Sequence, residues 1–195
     1  MGWFSPIKGG YPSLSQIDKT LPVDASSTGI TRGTVIEVVE DTTGMSADGV
    51  FKIATGSSEP GLLYIALQDY EDAQAGMAGT TGFDEGVIPS DFPGKGMTAN
   101  PGVPTITGLA LSMEGEYETD NYTGLESAKV GDKLVVTSGG KFTVAGDSDT
   151  DFVAYLTATP YSRWINNLNV KPANATRFNA VRQGGTANVI RFRTK

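Results

Sequence analysis

The stretch Lys133-Leu134-Val135-Val136-Thr137-Ser138-Gly139-Gly140-Lys141-Phe142-Thr143-Val144 joins two β-branched and aromatic runs through a pair of glycines. Glycine reaches positive φ without steric cost, so Gly139-Gly140 predicts a two-residue turn with the flanking strands paired directly across it. The same grammar repeats outward from this hairpin. Short runs rich in Val, Ile, Thr and aromatics alternate with Gly, Thr, Ser, Asp and Pro at intervals of about ten residues, as an all-β chain requires. The clearest strands are expected over 33–40, 50–55, 62–68, 133–137, 141–145, 152–158 and 187–193, with 41–49 as a longer connecting turn. In Val35-Ile36-Glu37-Val38-Val39 both parities are apolar, which predicts a strand covered on both faces. The fold class is therefore all-β: a β-barrel-like or β-sandwich-like body with long loops, an extended N-terminal arm and little helix.

Residues 1–30 read as that arm and 31–195 as the β-rich body. Pro6, Gly9, Gly10, Pro12 and Pro22 interrupt regular structure in the arm, while Trp3, Phe4, Ile7, Tyr11, Leu14, Ile17 and Leu21 give it more apolar surface than a free tail should expose. The arm is expected to dock, either on its own body or on a neighbour. Residues 73–103, rich in Gly, Ala, Thr and Pro, read as a surface excursion or as a divider between two β subdomains. The Asn-rich stretch 161–185 reads as a long polar loop.

Charge is divided unevenly. The chain has 15 Lys and Arg against 22 Asp and Glu, and Arg163, Lys171, Arg177, Arg182, Arg191, Arg193 and Lys195 all follow Tyr161 with no acid among them. Residues 1–160 thus balance at −14 and the tail at +7. Such a split steers association and points to a partner or a second copy, not to catalysis. Cysteine and histidine are both absent. That removes disulfides, thiolate chemistry, the commonest general base and the commonest transition-metal ligand, so neither an enzyme nor a cofactor is expected. No apolar run approaches the roughly 18 residues of a membrane span or makes a signal peptide, which predicts a soluble chain with no membrane partner and no export by that route. Pro6 stands where a myristoylation signal wants Ser or Thr.

Two acidic patterns bear on chemistry. Asp147-Ser148-Asp149-Thr150-Asp151 opens like a calcium loop, but Phe152 occupies the turn-glycine position and Ala158 the bidentate-glutamate position, so a solvated turn is expected instead of a metal site. Glu114, Glu116, Glu118 and Asp120 alternate, so in a strand they share a face and repel. They form a solvent-facing stripe or pair with basic residues from the tail, another copy or a partner. Tail cations with Trp164, Phe178 and Phe192 could suit nucleic acid, yet the acidic body would repel phosphates and no phosphate-binding loop is present, so no nucleic-acid partner is expected. The candidate interaction residues are Trp3, Phe4, Ile7, Tyr11, Leu14 and Ile17 in the arm, and Arg163, Trp164, Arg177, Arg182, Arg191 and Arg193 in the tail.

A further pattern runs through Thr107-Gly108-Leu109-Ala110-Leu111, Glu116-Tyr117-Glu118-Thr119-Asp120-Asn121-Tyr122, Val130-Gly131-Asp132-Lys133-Leu134, Gly140-Lys141-Phe142-Thr143 and Phe152-Val153-Ala154-Tyr155-Leu156-Thr157. It resembles the head decoration (cement) proteins of tailed bacteriophages, in which a hairpin from Gly-Asp-x-Leu to Gly-Lys-hydrophobic-Thr precedes a hydrophobic-Gly-Tyr strand. Ala154 departs from that pattern, standing where glycine is typical. The resemblance implies a non-catalytic virion protein, made in the host cytoplasm, that binds the outside of the capsid. It implies the major capsid protein as partner and a homo-oligomer, a trimer before a dimer. The alternatives are a tail-tube, baseplate or other virion structural protein, or a carbohydrate-binding β-domain if Trp3, Trp164 and nearby tyrosines share one platform.

Overall fold

The computed structural model describes residues 4–8, 18–24, 26–27, 29–44, 46–56, 62–67, 70, 105–111, 114–146, 151–168 and 183–194. The fold is all-β, built from two antiparallel sheets. One has the order β1 (Phe4–Lys8), β7 (Glu116–Thr119), β11 (Gln183–Thr194), β10 (Ala154–Leu168), β8 (Lys133–Val136) and β9 (Phe142–Val144). The other has the order β2 (Asp18–Pro22), β6 (Thr105–Ala110), β5 (Leu63–Ala66), β3 (Val35–Val39) and β4 (Val50–Ile53). The arm therefore contributes one strand to each sheet. Asp147, Ser148, Asp149 and Thr150 and the divider 73–103 lie outside the described residues.

Both sheets curl until they meet their own chain. Just past β2, Val23 bridges Phe51 on β4, and the Asp24 amide donates to the Phe51 carbonyl at 2.8 Å. Just past β7, Tyr122 bridges Phe142 on β9; the Phe142 amide donates to the Asn121 carbonyl (3.1 Å) and the Thr123 amide to the Phe142 carbonyl (2.9 Å). Main-chain groups that a flat sheet would leave at its margin are thereby satisfied.

Two apolar clusters follow from strand parity. Val35 and Ile36, neighbours on β3, are both fully buried on opposite faces, as their apolar pattern predicts. Val35 joins Leu63, Ile65 and Leu109 in the layer between the sheets, facing Tyr117, Leu134, Phe142, Leu156, Ile190 and Phe192. Ile36 turns the other way, into a second cluster with Leu21, Val23, Phe51 and Ile106 inside the curl of the five-stranded sheet. On β6 that curl demands a residue without a side chain. A Cβ on Gly108 would lie 2.9 Å from both Phe51 Cζ and Tyr64 Cβ. Gly108→Ala should therefore cost about 1–3 kcal/mol through overpacking, read as a lower midpoint in chemical denaturation.

The β8–β9 hairpin forms with a different turn. Val136 pairs with Phe142 and the Thr137 amide donates to the Lys141 carbonyl, leaving the three residues Ser138, Gly139 and Gly140 as the loop. Of the two glycines, Gly140 takes positive φ (68°), which fits the three-residue hairpin better than the tight pair. This turn also joins the sheets: the Gly140 carbonyl accepts from the Val35 amide and from Asn121 Nδ2, each at 2.8 Å, and Asn121 Nδ2 also reaches the Gly33 carbonyl at 3.2 Å.

Candidate functional site

β10 and β11 outrun the sheet that holds them. β8 pairs with β10 at Ala154 and Tyr155, and β7 pairs with β11 from Ile190 to Arg193. From Tyr161 opposite Val189 outward, β10 and β11 pair with each other, as far as Leu168 opposite Gln183. At roughly 3.3 Å per residue this ribbon is about 25 Å long. The register shifts between Leu156 and Ala158, between Ala158 and Tyr161 and between Ile165 and Leu168. Pro160, which has no amide to give a ladder, falls within the second shift. The polar loop expected over 161–185 is thus strand at both its ends, with 169–182 outside the described residues.

The two faces of the ribbon differ sharply. Ser162 opposite Asn188 and Trp164 opposite Thr186 occupy one face, and all four are exposed, Trp164 by 63%. Tyr161 opposite Val189 and Arg163 opposite Ala187 occupy the other, where Val189 is fully buried and the rest are half-buried. That second face continues the outer side of the six-stranded sheet, where Arg191 stands opposite Glu118.

Glu118 organises this side. It is fully buried, and its carboxylate gathers three groups. Arg191 Nη2 and Nε donate to Oε1 at 2.9 and 3.3 Å, the Tyr161 hydroxyl donates to the same oxygen, and Arg163 Nη1 lies against Oε2. Both guanidiniums remain about one-third exposed, at 37% and 35%. Burial of the carboxylate is offset by two guanidinium charges and by the donors that converge on Oε1, while Oε2 has the Arg163 charge against it and no hydrogen-bond donor. The rest of the stripe is also engaged within the chain: Thr157 Oγ1 donates to Glu116 Oε1 at 2.9 Å, and Arg193 stands 3.7 Å from Glu114 as an exposed, weakly contributing pair. At Glu118 the acidic stripe is therefore a buried ion-pair centre supplied by the chain's own tail, not a solvent-facing surface. A carboxylate so enclosed has no room to serve as a general base.

The candidate residues separate accordingly. Phe4 is buried and stacks on Tyr117 with ring centroids 5.3 Å apart, so this part of the arm packs into the body's own core. Ile7 lies on β1. Arg163 and Arg191 converge on Glu118, Arg193 lies beside Glu114, and Trp164 projects from the opposite face of the ribbon. Trp3, Tyr11, Leu14, Ile17, Arg177 and Arg182 lie outside the described residues. Tyr161, Ser162, Thr186 and Asn188 were not singled out by the sequence. Pairing of the alternate acids with basic residues of the chain's own tail, one of the readings the sequence left open, is the one found at Glu118.

Elsewhere, Tyr122, at the seam of the six-stranded sheet, has its phenol held above the ordinary tyrosine value, first by burial and then by the charges of Glu126 and Asp120. Tyr155 and Tyr161 do not share a face with Trp164, since Tyr155 stands opposite Arg193 on the outer side. Among the described residues no group of three or more carboxylates is placed to hold a metal ion. No protein-family model matches this chain, and no curated protein matches it.

Proposed function

We propose that the chain is a non-catalytic virion structural protein, a head decoration (cement) protein that attaches to the outside of a phage capsid as a homo-oligomer, a trimer before a dimer, and holds neighbouring major capsid subunits together. The observation that carries the reading is the β10–β11 ribbon, which reaches beyond the sheet and turns Ser162, Trp164, Thr186 and Asn188 outward together. An exposed tryptophan set among small polar side chains has the composition of a contact surface, with one aromatic anchor and hydrogen-bonding neighbours. The resemblance over 107–160 supplies the kind of partner. The absence of His and Cys fits a protein whose work is binding.

The test is co-sedimentation of the purified protein with expanded phage heads stripped of their own decoration protein. Saturable binding is expected, weakened at least tenfold by Trp164→Ala in a protein that keeps its β-type circular dichroism spectrum. Absence of binding, with rings or tubes of the free protein in electron micrographs, would replace the head assignment with a tail one.

A further inference from the structure

A ribbon that leaves its sheet has few means of keeping its direction. Isolated two-stranded hairpins are marginal in water and twist more than strands held on both sides. Here the register shift at Pro160 falls where β10 departs from the body. Immediately beyond it, Tyr161 and Arg163 turn back to one buried carboxylate on β7, a strand with β11 lying between it and β10. Arg191 on that intervening strand binds the same carboxylate and also approaches the Tyr161 hydroxyl at 3.4 Å. One acid thus ties three successive strands at the root of the ribbon.

We infer that Glu118 is a positioning residue: it latches the base of the β10–β11 ribbon to the sheet through Arg163 and Tyr161 and so fixes the direction in which the Trp164 face is presented. Three observations join in this reading. The carboxylate is fully buried although it lies on the outer side of the sheet. Its partners come from both strands of the hairpin, and two of them lie beyond the last residues that β7 and β8 pair with. The latch residues have the opposite strand parity to Ser162 and Trp164, so closing the latch on one face leaves the other facing outward. Holding a contact surface in one orientation before it meets its partner reduces the ordering cost of association. The inference deepens the reading of the ribbon as the attachment element, and it is tested on the free protein, so that it can fail while capsid binding stands, or the reverse.

Arg163→Gln is the primary variant, because Arg163 is partly exposed and its removal should leave the body folded. A Trp3→Phe background makes Trp164 the sole tryptophan of the chain's two. Amide hydrogen exchange at 161–164 and 186–189 should accelerate at least tenfold in Arg163→Gln, and the fluorescence anisotropy of Trp164 should fall, while exchange at 134–136 and 142–144 stays at its original rate. Arg163→Lys, which keeps a cation able to reach the carboxylate, should recover part of the protection. Glu118→Gln should release the ribbon as Arg163→Gln does. Ribbon exchange unchanged in Arg163→Gln would overturn the latch. So would acceleration of ribbon and core by one common factor, since that is the signature of a merely structural ion pair.

Discussion

Phe192→Ala should lower the stability of the isolated protein by about 3–5 kcal/mol, the range for removing a buried aromatic ring from a core that cannot collapse to fill the space. Phe192 is fully buried on β11, with its ring centroid 4.5 Å from that of Phe142 and 5.7 Å from that of Tyr117, which in turn stacks on Phe4. The four rings run across the interior of the six-stranded sheet from β1 to β9. Removing the third ring of that series takes a ring contact from both Phe142 and Tyr117, whereas Phe4 at the end of the row meets Tyr117 alone in the series, so the loss should exceed that from Phe4→Ala. Urea denaturation of both variants measures the difference. A Phe192→Ala loss below about 1 kcal/mol would mean that the layer between the sheets is not closely packed.

Arg191→Glu is expected to destabilise the isolated chain by a comparable amount, about 3–5 kcal/mol, because it withdraws a cation that donates twice to a buried carboxylate and sets a second negative charge opposite it in the ladder. Cross-strand pairing places Arg191 directly against Glu118. The effect should appear in the melting temperature of the protein alone. Arg193→Glu, beside the exposed Glu114, should change stability by less than 1 kcal/mol. Equal and small effects from both would mean that position 191 is as hydrated as position 193. The contrast also shows where the tail's positive charge is already committed: at 163 and 191 it is spent on the chain's own sheet.

The sequence announced the parts of the fold in which local chemistry and tertiary setting agree. The hairpin around Gly140 and the doubly apolar β3 are of this kind. β1, β2, β6 and β7 were not recognised as strands, and each carries a reason. Pro6 and Pro22 sit in β1 and β2, the outermost strands of their sheets, where a missing amide removes no ladder bond. Gly108 lies within β6 because a neighbouring ring needs the space. β7 is Glu-Tyr-Glu-Thr, whose acids have poor strand propensity until Arg163 and Arg191 meet Glu118 and the Thr157 hydroxyl meets Glu116. The ribbon was hidden for a similar reason: Asn-rich segments with a proline near their start read as loop, and their pairing depends on a partner 15 to 28 residues away in the chain. At the site, sequence supplied Arg163, Trp164 and Arg191 as individual residues. It could not show that two of them serve one acid while the third points away from it, because strand parity on either side of a register shift is settled only by the pairing itself.

The seams at Val23–Phe51 and Tyr122–Phe142 bear on how such a protein survives being made in quantity. A sheet with an unfinished margin offers its amides and carbonyls to any passing strand, and at high concentration that invites fibres. At Phe51 on β4 and Phe142 on β9 a stretch of the chain's own backbone is folded onto the margin, which removes two of those invitations, while β1 pairs with β7 alone. At those two places a foreign strand finds the peptide groups already engaged.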